Sequence, residues 1–258
     1  MQKMKMSLCV TILSVCLVGS GCATAPITGR TQLLIVPESD EIALGLKSYQ
    51  ETLSKAKLSR DPQVNVQVKR VGTRIARVAN RPDYNWEFTV IDDPKTANAF
   101  ALPGGKVAVY TGLLPYTKDD NGLAFVIAHE VAHAIARHGG ERMSEQLFIQ
   151  LGQQGLNLAI ANKSAAAVQA INLGYGLGTQ LGVTLPFSRT QELEADHIGL
   201  ILMAKAGYDP REAPKFFERM MAGQSKQNLE FLSTHPADER RIRDLKNLIP
   251  QAMPYYKQ

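Results

Sequence analysis

The chain predicts an α+β domain, mostly helical, with a small sheet. Three observations carry that class. The apolar run from Leu123 to Ala136 is long enough for a buried helix rather than a strand. Val64, Val68, Val71, Ile75 and Val78 recur at steps of four and three, the mark of one helical stripe. Asn98–Leu102 and Lys106–Tyr110 flank Pro103-Gly104-Gly105, as a strand, a turn and a return strand would. The 258 residues, 45% of them hydrophobic, suit one ordinary domain with a sizeable core.

Taken in order, Lys3 and Lys5 precede an uncharged, largely apolar run from Met6 to Gly21. That run is too short for a comfortable membrane span and has the form of a secretory signal. It ends Leu17-Val18-Gly19-Ser20-Gly21-Cys22, which resembles a lipobox whose cysteine becomes the lipidated first residue. Gly19 departs from the leucine more usual there, and Ala23 resembles the residue after the cysteine in lipoproteins sorted to the outer membrane. Cys9 and Cys16 fall within the signal, so Cys22 is alone in the mature chain and no internal disulfide forms. The expected divisions are a signal over 1–21, a lipid-anchored tether over 22–37 with turn residues Pro26 and Gly29, and one domain over 38–258. Without Lys3 and Lys5 the net charge falls from +5 to +3. No basic run carries interleaved aromatics, so no nucleic-acid partner is expected.

Ser39 is a candidate cap for a helix bearing Ile42, Leu46, Tyr49 and Leu53 on one stripe. Asp61-Pro62 starts the valine-rich helix, with proline suited to the first turn. Trp86–Ile91 reads as a strand ended by Asp92-Asp93-Pro94. Beyond the central apolar run, Gly139-Gly140 breaks the helical pattern. Ser144–Phe187 is almost without charge and suggests two helices around Asn162-Lys163-Ser164, as core packing or as a mobile cover. A further helix carries Glu192 and runs to about Ala206, stopped by Gly207. Helices over Pro210–Met221 and Asp238–Leu248 close the chain.

Chemistry concentrates in Ala128-His129-Glu130-Val131-Ala132-His133-Ala134. At ~100° per residue His129 and His133 share a face and can grip one metal ion, with Glu130 beside its open side. A third ligand must come from elsewhere. Gly139 stands six residues past the second histidine, and His138 lies ~180° around from His129, which makes it an ordinary helix-end histidine. Ser188–Asp196 offers Glu192 and Asp196, four apart on one face, while Glu194 points elsewhere. A carboxylate followed by an acid one turn on suits a metal ligand and a partner for the spare N–H of a ligand histidine. A solvated acidic face is the alternative.

HEVAHAIARH followed by SRTQELEAD, with NAFALPGG upstream and STHP downstream, resembles the zinc metallopeptidases related to CAAX prenyl endopeptidases. The nearer likeness is to the HtpX-like and Oma-like group in its soluble periplasmic lipoprotein form, over roughly Glu38 to Leu248. The resemblance implies a zincin-like fold with one Zn²⁺ per chain held by His129, His133 and Glu192, Glu130 as catalytic base, and Asp196 orienting a ligand. It places Asn98, Ala99 and Phe100 near the cleft, where an edge strand would hold a polypeptide extended. It also brings His235 to the cleft. There the imidazole is expected to donate to the oxyanion, the alternatives being a fourth metal position at rest or a helix cap. The implied function is a zinc-dependent endopeptidase of the bacterial cell envelope, lipid-anchored at Cys22 on the periplasmic face of the outer membrane. Its substrates would be unfolded or misassembled envelope proteins. The rival is a zinc-bound, chaperone-like binding module with little turnover.

Overall fold

The described chain opens with an antiparallel hairpin, β1 (Cys22–Thr24) and β2 (Thr31–Leu33). Where the sequence suggests a tether, this segment is fastened to the body. Gln32 Nε2 donates to the Ala136 carbonyl at 2.7 Å, and the Ile35 N–H donates to Ser144 Oγ at 2.9 Å. The computed structural model describes residues 22–180, 184–223 and 229–257, so the signal over 1–21 lies outside the described residues.

α1 (Glu38–Lys55) has Pro37 at its N-cap and no side-chain cap, in place of the expected Ser39. Its fully buried line is Glu41, Gly45 and Tyr49; of the expected stripe Tyr49 is buried, Ile42 and Leu53 pack half-buried against the core, and Leu46 is exposed. The line shifts because Gly45 lets the helix press on Pro103, whose carbonyl oxygen would stand 2.7 Å from a Cβ. Glu41, for its part, is buried in an ion pair with Arg137. α2 (Pro62–Val78) starts as expected with Pro62 in its first turn, and Asp61 caps it, accepting from the N–H groups of Gln63 and Val64. Val68, Val71 and Ile75 turn inward.

β3 (Glu87–Ile91), β4 (Ala99–Leu102) and β5 (Lys106–Tyr110) form a sheet in the order β3-β5-β4, with β5 parallel to β3 and antiparallel to β4. Gly104 and Gly105 turn the chain between β4 and β5 at φ +85° and +86°, a region that favours glycine. Among the described residues no strand pairs with the outer side of β4, so β4 is an edge. A 3₁₀ turn and the short α3 (Leu114–Thr117) lead into α4 (Asp120–Ile135), which is buried from Gly122 to Ile135. Asp119 caps it, accepting from the N–H groups of Asn121 and Gly122.

The break after α4 comes earlier than Gly139-Gly140. The helix ends at Ile135, Arg137 adopts a left-handed φ of +55°, and both glycines lie in the first turns of α5 (His138–Ile160). α6 (Ala165–Thr179), capped by Ser164, completes the helical pair expected around Asn162–Ser164. The start of α5 is buried through Ser144, but no residue of α6 is, and Phe148, Leu151, Leu158 and Leu173 are exposed, so beyond Ser144 this pair lies mostly outside the core. Among the described residues no helix is long and apolar enough to cross a membrane.

α7 (Leu185–Lys205) lies along α4. Gly199 permits the close contact, since a Cβ there would stand 3.1 Å from the His129 backbone nitrogen. α8 (Glu212–Gly223), α9 (Glu230–Thr234) and α10 (Glu239–Ala252) complete the body. Phe125, Phe216, Phe217 and Phe231 are fully buried where α4, α8 and α9 meet, with neighbouring ring centroids 5.5–5.8 Å apart. Each such ring stabilises the fold by ~1.5–3 kcal/mol through burial. Phe231 also lies against His129 and His235, so the aromatic cluster braces one flank of the histidines.

Candidate metal centre

His129 and His133 share the face of α4 that meets α7, as their spacing requires. Glu192 projects from α7, and His235 from the residue that ends α9. Their ligand atoms all lie within 4.8 Å of one another. The Nε2 atoms of His129 and His133 are 3.1 Å apart. Glu192 Oε2 is 3.4 Å from His129 Nε2, and its Oε1 is 3.3 Å from His133 Nε2. His235 Nδ1 stands 3.2 Å from His129 Nε2 and 3.0 Å from Glu192 Oε2. Several lone pairs aimed at one buried point are costly without a cation between them. Imidazole nitrogens and one carboxylate suit a borderline divalent metal, so these residues fit a metal ion.

Electrostatics agree. Burial raises the Glu192 carboxyl, but its contacts with His133, His129 and His235 hold it far below the carboxylate range. Burial lowers His129, yet its contacts with Asp196 and Glu192 push it up to about 9. In His133 burial prevails and the imidazole stays well below its ordinary value. Carboxylates that stabilise a proton here stabilise a metal as well, so the two compete for the same nitrogens. Glu130 is buried beside the cluster, with Oε1 3.2 Å from His235 Nε2.

The two histidines of α4 are backed differently. His129 Nδ1 lies 3.0 Å from Asp196 Oδ1. Arg241 grips Asp196 from α10, donating from Nε at 2.7 Å and from Nη2 at 2.9 Å, and its Nη1 lies 3.1 Å from Glu192 Oε2. His133 Nδ1 instead lies 2.8 Å from His138 Nδ1, and His138 Nε2 lies 3.0 Å from Glu194 Oε2. His138 is therefore not the helix-end residue that the spacing suggests. The left-handed Arg137 ends α4, which voids any extrapolation of helical angle beyond it, and His138 is wholly buried. Arg241 also escapes a sequence reading. Its one signal is its place with Leu245 on the inward side of the last helix, where an arginine needs a partner.

The strand residues divide. The Tyr110 N–H donates to the Asn98 carbonyl, so Asn98 and Phe100 aim their backbone groups at β5, while those of Ala99 and Ala101 face the open edge. The Phe100 side chain packs with Tyr49, Ile91 and Tyr110 on the α1 side, away from α4. The backbone groups left open at this edge are thus those of Ala99 and Ala101. Nothing is described of the Cys22 side chain.

Residues 62–249 match peptidase family M48. Mitochondrial metalloendopeptidase OMA1 of Schizosaccharomyces pombe is 39% identical over 88% of this chain, which covers 66% of that protein. Its counterpart in Saccharomyces cerevisiae is 33% identical over 91% of this chain and 71% of that protein. The beta-barrel assembly-enhancing protease of Escherichia coli is 28% identical over 98% of this chain, which spans 54% of that protein.

Proposed function

The chain belongs to peptidase family M48, and from that premise we propose that it is a zinc-dependent endopeptidase acting on unfolded envelope proteins. The observation that carries the reading is Glu130, buried beside the donor set of His129, His133 and Glu192. Nitrogen and carboxylate donors in this ratio favour zinc among common divalent ions. Zinc, when bound, supplies Lewis acidity towards a peptide carbonyl and makes water easier to deprotonate. Glu130 takes the proton of the attacking water and returns it to the leaving amine. Asp196 keeps the His129 proton on Nδ1 and so leaves Nε2 free for the metal. The outer groups of Ala99 and Ala101 align an extended backbone, which selects locally unfolded substrates.

The decisive experiment pairs metal analysis with casein cleavage by the mature chain and by Glu130→Gln. Wild type should hold one zinc and cleave. The variant should keep its zinc and lose 10²–10⁴-fold or more in rate. Zinc without cleavage in the wild type would instead favour the binding-module rival.

The position of His235, 3.0 Å from Glu192 and 3.2 Å from His129, supports a second reading of that residue. It is a fourth donor that closes the centre at rest, in place of an oxyanion donor. His235→Ala should then raise turnover. A fall of roughly 10²-fold with zinc retained would restore the oxyanion role.

For the compartment, Lys3–Cys22 supports export and a lipid anchor on the periplasmic face of the outer membrane. The E. coli relative is named for beta-barrel assembly, whereas the fungal relatives are mitochondrial by name. Fatty-acid labelling should mark the wild type and not Cys22→Ser; equal labelling would refute the anchor.

A further inference from the structure

The β1–β2 hairpin lies far from α4 in sequence, yet its Arg30 joins a chain of buried groups that ends on His133. Arg30 Nε donates to Glu194 Oε2 at 2.8 Å, and its Nη1 and Nη2 donate to the two oxygens of Glu141, each at 2.7 Å. Thr28 Oγ1 donates to the other oxygen of Glu194. Glu141 is itself held by Gln191 Nε2 at 2.9 Å and Gln32 Nε2 at 3.2 Å. Glu194, Glu141 and His138 are all buried.

We infer that Arg30, Glu194 and His138 are positioning residues for the metal bond of His133, so that the N-terminal hairpin is a working part of the centre. The inference rests on the reading of His133 as a metal ligand. Proton placement carries it. With Nε2 turned to the donor set, a neutral His133 keeps its proton on Nδ1. That N–H points at His138 Nδ1, which must then be a bare acceptor. The His138 proton therefore sits on Nε2 and is donated to Glu194. One tautomer is allowed at each ring, and the anionic carboxylate under Arg30 fixes both. Remove that anchor and His138 is free to carry its proton on Nδ1. Two N–H groups would then oppose each other across 2.8 Å, and His133 escapes only by turning or by moving its proton to the nitrogen the metal needs.

The test measures zinc dissociation constants by chelator competition for the wild type, Glu194→Gln, Arg30→Met and Arg30→Lys, with imidazole ¹⁵N spectra of the zinc-loaded proteins. Glu194→Gln should bind zinc ten- to a hundredfold more weakly, and Arg30→Met should show a smaller loss of the same sign, with partial recovery in Arg30→Lys. Wild-type His138 should show a single tautomer protonated on Nε2, and Glu194→Gln a mixture. Unchanged affinities with lower stability of the metal-free variants would reduce these residues to structural supports and overturn the inference. So would a wild-type His138 protonated on Nδ1, a result that needs no variant to fold. A wild type that holds no zinc would instead sink the reading of the centre itself.

Discussion

Asp196 reaches His129 in one step and is gripped by Arg241 from the last helix, whereas Glu194 reaches His133 only through His138 and is gripped by Arg30 from the first hairpin. The arginine side chains differ in exposure, 5% for Arg241 and 22% for Arg30. Both arrangements fix an imidazole proton, but they differ in what a lost cation leaves behind. Without Arg241, Asp196 and Glu192 stay buried with no arginine between them. Without Arg30, Glu194 keeps the hydrogen bonds of Thr28 and His138, and Glu141 keeps those of two glutamines. The C-terminal side thus holds structure and ligand geometry together, while the N-terminal side mostly tunes geometry.

The sharpest way to break this contrast is Arg241→Met. Stripping one partner from a buried ion pair costs ~3–5 kcal/mol, so unfolding in denaturant with chelator present should show a loss of that size. Arg30→Met should cost clearly less under the same conditions. Equal losses would mean that the two sides do not differ. A smaller effect is expected of Asp196→Asn, which keeps the shape and removes the charge. Zinc should bind ten- to a hundredfold more weakly, and at least as weakly as to Glu194→Gln, because Asp196 acts without an intermediary. The reverse order, read by the same chelator competition, would make the relayed histidine the more dependent ligand.

What the sequence could convey follows from the range of the interactions. The facing of His129 and His133, the sharing of one face by Glu192 and Asp196, the helix starts at Asp61 and Asp238 and the β4–β5 turn are all set by neighbours within a few residues, and each is present in the structure. Glu194 was legible as facing away from Glu192, but not as the anchor of a histidine. Its partners Thr28 and Arg30 lie more than 160 residues away and follow no period. His138 escapes the helical spacing because one left-handed residue, Arg137, ends α4 before it. The α1 stripe holds at Ile42, Tyr49 and Leu53, but Glu41 joins the buried side through its ion pair with Arg137, a partner its own polarity does not announce.

β4 leaves only a narrow window of open backbone. At one end the Phe231 N–H occupies the Ala97 carbonyl at 3.0 Å; at the other the chain turns away at Pro103. Between them only Ala99 and Ala101 face outward, a span of ~7 Å. Unsatisfied strand edges are also where copies of a protein add to one another and stack towards fibres. Two outward residues give too little grip for that kind of growth, so the molecule can keep an unsealed edge without becoming a seed for its own aggregation.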